Sequence, residues 1–200
     1  MITRKKIIIA LSIGIIILIL GKIIINKDAK RYDSVKNIKI ELPENYKTTE
    51  VKNLCVKANE SFLKEDYDSA IRLYREALNI DQTNTRILFD LASSYALKDD
   101  LTNALLTLDE AIRLDSSNAF FYCNRGLAYY KMDNTKKAIT DYKTAIQLDS
   151  NNYIYFANLA LAYNKEENYL NACEALNSAE KLGLDVSIDN LLQDIADDCK

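Results

Sequence analysis

From residue 51 onward, small, bulky and polar residues return every thirty-four positions, in the units 51–84, 85–118, 119–152 and 153–186. A fixed period of that length marks supersecondary units that stack on one another. The twentieth position of each unit is Ala70, Ala104, Ala138 or Ala172, and the twenty-seventh is Ala77, Ala111, Ala145 or Ala179. Seven residues span about two helical turns, so each alanine pair predicts one helix face that a neighbour approaches closely. Tyr74, Leu108, Tyr142 and Leu176 stand between them and supply bulk beside the small residues, as a filled layer requires. An earlier helix in each unit is marked by Ala58, Ala92, Gly126 and Ala160 at the eighth position and by Ser61, Tyr95, Tyr129 and Tyr163 at the eleventh. Asp66, Asp100, Asn134 and Asn168 fall between the two helices, and Asn84, Asn118 and Asn152 close the first three units. All are residue types whose side chains accept the free amides of a helix start. Each unit therefore predicts a helix–turn–helix hairpin.

The chain's two ends break the period. In 187–200, Ile188, Leu191, Leu192 and Ile195 recur at helical spacing while Asp189, Asp194, Asp197 and Asp198 keep the other face polar. This predicts a helix that caps the last hairpin. At the other end, a short basic tail (1–6) precedes IIIALSIGIIILILGKIII, residues 7–25, whose one charge is Lys22. As a helix these residues reach roughly 28 Å, close to the thickness of a bilayer's hydrocarbon core, and Lys22 lies near enough to the end to snorkel. The run is longer than a signal-peptide core, and NKDAK offers no pair of small residues for cleavage, so an uncleaved transmembrane helix is expected. Residues 26–50 are polar, hold the single proline, Pro43, and read as a spacer with a short extended stretch through Ile38, Ile40 and Leu42.

Composition sharpens this picture. With 48% apolar and 28% charged residues the chain can bury a core, and four Gly and one Pro leave little to interrupt helices. The net charge of −3 hides an asymmetry. Nine Lys/Arg against two Asp/Glu in 1–40 give +7, leaving seventeen against twenty-seven, or −10, for 41–200. An acidic body argues against nucleic acid, which requires a basic face. There is no His, which removes the usual general base and the commonest metal ligand. No nucleophile–base pair or phosphate loop replaces it, so neither an enzyme, a cofactor nor a small-molecule substrate is expected. Cys55, Cys123, Cys173 and Cys199 show no C-x-x-C spacing, so no zinc site is indicated. Cys55 and Cys123 share one position two repeats apart, about 16–20 Å at ordinary helix spacing, too far for a disulfide. Pairing of Cys173 with Cys199 stays geometrically open. Three Lys/Arg precede the apolar run and five follow it closely. Counting alone puts the body inside, but translocating the basic tail is costly and long domains cross with little regard to charge. The balance leans slightly to an extracytoplasmic body.

The small-residue, aromatic and turn positions together resemble the tetratricopeptide-repeat family over four units, although the family's Pro near each repeat end is replaced by Gln82, Ser116, Ser150 and Leu184. The resemblance implies an all-α fold, a right-handed superhelix of hairpins whose first helices line a concave groove. The groove positions it implies are Arg86, Phe89, Ser93 and Ala96, then Phe120, Cys123, Leu127 and Tyr130, then Ile154, Ala157, Leu161 and Asn164. An exposed apolar strip through Phe120, Leu127, Tyr130, Ile154 and Leu161 would mark an interaction site. Asn124 and Asn158 share the sixth position, with Asp90 one repeat earlier. In the family this spacing can form an amide ladder that pairs with a peptide main chain. The family's carboxylate clamp, which grips acidic C-termini, is not matched: Cys55, Asn59, Asp90, Phe120 and Asn124 stand at its positions and none is a cation. The expected function is a membrane-anchored scaffold that takes a partner's extended or helical segment through Phe89, Phe120, Asn124, Leu127, Tyr130, Ile154, Asn158 and Leu161. The alternative is a structural subunit of a membrane complex without a peptide ligand.

Overall fold

The eight alanines that recur at the twentieth and twenty-seventh positions are fully buried, and Tyr74, Leu108, Tyr142 and Leu176 beside them are 1% exposed. In the computed structural model, which describes residues 46–199, these layers hold together a stack of four hairpins. The hairpins are α1 (Thr49–Leu63) with α2 (Tyr67–Ile80), α3 (Thr85–Leu97) with α4 (Leu101–Leu114), α5 (Ala119–Lys131) with α6 (Thr135–Leu148), and α7 (Tyr153–Lys165) with α8 (Tyr169–Lys181). Each second helix also packs on the first helix of the next hairpin, and α3, α5 and α7 touch along one side. A short 3-10 turn, Val186–Ile188, leads into α9 (Asn190–Asp198), which lies on α7 and α8 with Leu192 and Ile195 buried. Leu191, expected on that face, is 46% exposed, because it lies about 100° round the helix from Leu192 and so falls at the edge of the side that Leu192 and Ile195 present to the hairpin. Among the described residues there is no strand, and no helix is long and apolar enough to cross a membrane. The apolar run 7–25 lies outside the described residues.

The turn within each hairpin repeats as faithfully as the alanines. Glu65, Asp99, Asp133 and Glu167 take positive φ of 60°, 66°, 59° and 57°. The next amide then returns to a carbonyl five residues back: Asp66 to Ser61, Asp100 to Tyr95, Asn134 to Tyr129 and Asn168 to Tyr163, at 2.9–3.0 Å. This six-to-one bond satisfies a carbonyl that the helix end leaves free. The eleventh position thus receives the bond that ends each first helix.

Capping differs in part from the sequence expectation. Asp66, Asp100, Asn84, Asn118 and Asn152 each accept an amide of the helix they precede, at 3.0–3.2 Å. Asn134 and Asn168 stand at the N-cap without a side-chain bond to it. The oxygen of Asn168 accepts instead from the Asn171 side chain at 3.0 Å. Asp100, with its two carboxylate oxygens, accepts both the backbone and the side-chain amide of Asn103, whereas the Asn168 oxygen is taken by Asn171.

The eighth position is Ala in three repeats and Gly126 in the third. A methyl at Gly126 would meet the Tyr142 ring at 2.8 Å and the Ala138 carbonyl oxygen at 3.2 Å. Gly126→Ala is therefore expected to destabilise the fold by about 1–2 kcal/mol, overpacking outweighing the helix-propensity gain. The second and fourth repeats pair Ala with Leu108 and Leu176. Adding Tyr142→Leu should then recover most of the loss, which urea titration of both variants would measure.

Candidate partner-binding groove

The first helices carry the residues expected to line a groove, and their burial sorts them into floor and wall. On α5, Phe120, Asn124, Leu127 and Tyr130 are all half-buried. Spacings of four, three and three put them along one side of the helix. Leu161 on α7, at the same repeat position as Leu127, is half-buried too. Lys165 extends this strip. Its Nζ lies 4.6 Å from the centre of the Tyr130 ring and pairs with Asp133 of the preceding repeat. That contact escaped the sequence reading, although lysine recurs at the thirteenth position in Lys131 and Lys165.

Three expected wall residues are interior. Phe89 is 8% exposed, Ile154 3% and Asn158 4%. The cause is the seam between consecutive first helices. Phe89 packs on Phe121 of the next repeat with ring centres 5.9 Å apart. Asn158 donates its amide to Cys123 Sγ at 3.4 Å. Beside Ile154, Tyr155 meets Phe120 edge-on at 5.9 Å. Where neighbouring first helices touch, Phe89, Cys123 and Asn158 fill the seam. The expected exposed surface therefore shrinks to Phe120, Asn124, Leu127, Tyr130 and Leu161.

The amide ladder is divided among different jobs. Asn124 donates to the carbonyl of Phe120 on its own helix at 2.8 Å, Asn158 is spent on Cys123, and Asp90 is buried beneath Arg86, whose Nε it accepts at 3.0 Å. Burial raises the Asp90 carboxyl above the ordinary aspartate range, and the Arg86 charge offsets this only in part. At the repeat-one end, Tyr46, just before α1, lies close to the Cys55 thiol, Asp90 and Arg86. The Tyr74 hydroxyl donates to Asn59 Oδ1 in the same cluster. The end of the spacer thus reaches this cluster, and no sequence pattern signalled it. Burial pushes the Cys55 and Cys123 thiols up to about 12, which makes both inert as nucleophiles at neutral pH. Among the described residues no group of three or more His, Cys, Asp or Glu could hold a metal.

Behind the strip, Arg125 ties three helices together. Its Nε and Nη2 reach both oxygens of Asp141 on α6 at 2.8 and 2.7 Å, and its Nη1 reaches Asp109 on α4 at 2.7 Å. The Asp141 bonds hold the guanidinium strongly in its charged form.

Three family models match the chain, described as tetratricopeptide repeat at 51–84, TPR repeat at 94–133 and tetratricopeptide repeat at 119–152. No curated protein matches it. Among solved structures, a MamA protein is similar at 25% identity and TM-score 0.61, over 66% of this chain and 72% of that one. The Sgt2 TPR domain from Aspergillus fumigatus is similar at 25% identity and TM-score 0.58, over 60% and 81%. The first TPR of Spaghetti (RPAP3), solved with the HSP90 peptide SRMEEVD, shares the fold at 23% identity and TM-score 0.58, over 62% and 99%. At the residues that a carboxylate clamp would use, this chain has the buried Cys55, Asn59 and Asp90, so the likeness to that domain is one of fold.

Proposed function

This chain belongs to the tetratricopeptide-repeat family, and from that premise we propose that it is a membrane-anchored scaffold that takes a segment of another polypeptide on the first helices of repeats three and four. The observation that carries the reading is the half-buried strip of Phe120, Leu127, Tyr130 and Leu161, with Asn124 among them. Apolar side chains left partly open on adjacent helices gain free energy when a partner covers them, at about 25 cal/mol per Å². A single polar amide in their midst fixes the orientation of what binds. An apolar or amphipathic segment fits this strip better than an acidic tail, since Lys165 is already engaged by Asp133.

The anchor in this reading is the apolar run 7–25, and the repeats stand on the extracytoplasmic side. A disulfide between Cys173 and Cys199 supports that side, because such bonds persist in oxidising compartments. A second reading, a brace within a membrane complex, draws on Tyr169 and Leu170 at the start of α8. They are 56% and 84% exposed and lie off the strip.

Photo-crosslinking separates the two. A crosslinkable residue is placed at Leu127 or, as the control, at Leu106 on α4, which is 63% exposed, and the full chain is expressed in its own membrane. An adduct to another polypeptide from position 127 and none from 106 is the expected result. Leu127→Glu with Tyr130→Glu should then weaken that association at least tenfold, because a charge desolvated against an apolar segment costs more than about 1.4 kcal/mol. The helical signal should stay near that of the unmutated chain. No adduct at position 127, or the same adduct from both positions, would sink the groove reading.

A further inference from the structure

The second helices of the first three repeats carry an aliphatic pair at the twenty-first and twenty-eighth positions: Ile71 and Leu78, Leu105 and Ile112, Ile139 and Ile146. In the fourth repeat the same pair is Cys173 and Glu180. Seven residues apart, each pair lies on one helix face. In repeat four that face no longer presents the aliphatic side chains found in the repeats that carry another hairpin after them. A covalent bond takes their place. Cys173 is joined to Cys199, the residue that ends α9, with Cα atoms 5.6 Å apart.

The helix held this way is weak by itself. It has nine residues, fewer than the roughly 12–15 an isolated helix needs in water. Asp189 caps its start through the amides of Leu191 and Leu192, at 2.9 and 3.0 Å. Asp197 and Asp198 stand in its last turn, with no basic residue there. Negative charge there opposes the helix dipole. Two apolar side chains, Leu192 and Ile195, are buried by it. Both bonded cysteines are half-buried, within reach of a small thiol, whereas Cys55 and Cys123 are 1% and 5% exposed.

We propose that the Cys173–Cys199 pair is a thiol-controlled latch: its oxidation closes α9 over the end of repeat four, and its reduction releases the helix and loosens the last hairpin. On closing, the two thiols give up two protons and two electrons to a disulfide-containing oxidant, which leaves as a dithiol. On opening, two equivalents of a small thiol take the reverse path and leave as their own disulfide. The consequence reaches the groove, because α7 carries Leu161 and lies against both α8 and α9. The strip is then complete only where an oxidant is available. The latch stands whether or not a partner binds the strip, and its test does not use one.

Amide hydrogen exchange on the full chain in detergent micelles, oxidised and then treated with dithiothreitol, reads the latch directly. Reduction should speed exchange at least tenfold across α8 and α9 while α1 to α6 stay unchanged, and Cys199→Ser should reproduce this without reductant. Unchanged exchange in α8 and α9, both on reduction and in Cys199→Ser, would overturn the proposal. So would thiol counting on the chain treated with oxidised glutathione, then denatured with free thiols blocked, if it found that Cys173 and Cys199 had not joined to each other.

Discussion

Ala138→Glu is expected to remove most of the chain's stability, a loss of at least about 4 kcal/mol. Ala138 is fully buried in the layer between the helices of repeat three. Its carbonyl oxygen lies 3.2 Å from where a methyl on Gly126 would sit, so the backbones already approach as closely as small residues permit. A glutamate there must either bring an unpaired carboxylate into that layer or force α5 and α6 apart. In a quasi-one-dimensional stack each repeat is held by its neighbours, so the damage should spread to both flanking repeats. Leu106→Glu, at a site that is 63% exposed, should change stability by no more than about 0.5 kcal/mol. Urea unfolding followed by circular dichroism compares the two. An Ala138→Glu chain as stable as the Leu106→Glu chain would show that the alanine layers are not the core contact.

Arg125→Leu should cost about 3 kcal/mol. The loss comes from what is left behind more than from what is removed. The Asp141 side chain is 6% exposed and receives two bonds from the guanidinium, so without Arg125 a carboxylate stays in the interior unpaired. Asp109, half exposed at 51%, turns to water and contributes little. A double variant, Arg125→Leu with Asp141→Leu, is therefore expected to recover most of the stability, since an apolar pair of similar volume often replaces a buried ion pair without loss. Arg125→Lys should recover only part, because an ammonium cannot span two oxygens of Asp141 and also reach Asp109. If Arg125→Leu alone matched the unmutated chain, the three-helix tie would carry no weight in the fold.

The architecture was legible because its causes are local or one repeat away. Ala70 to Ala179, the Tyr and Leu between them, and the Asp and Asn at the turns each act within a hairpin or on the next one, so a thirty-four-residue period records them directly. The positive-φ turns went unread, since Glu65, Asp99, Asp133 and Glu167 are acidic residues at a position where glycine would have been the signal.

The groove was legible only as a set of positions. Phe89 and Leu127 stand four positions apart in the register of neighbouring repeats and carry the same apolar character, yet one fills the seam against Phe121 and the other stays half open. Asn124 and Asn158 hold the same repeat position, and one bonds its own helix while the other is buried on Cys123. What the sequence by itself determined was the hairpin, its packing layers and the capped end, because small and large residues at fixed spacing dictate which helix faces meet. Which first-helix side chains face outward, where Tyr46 lodges, and that Cys173 meets Cys199 were decided only in the tertiary structure. Those outcomes depend on the angle between successive hairpins, a sum of small rotations over many contacts that no single stretch of sequence encodes.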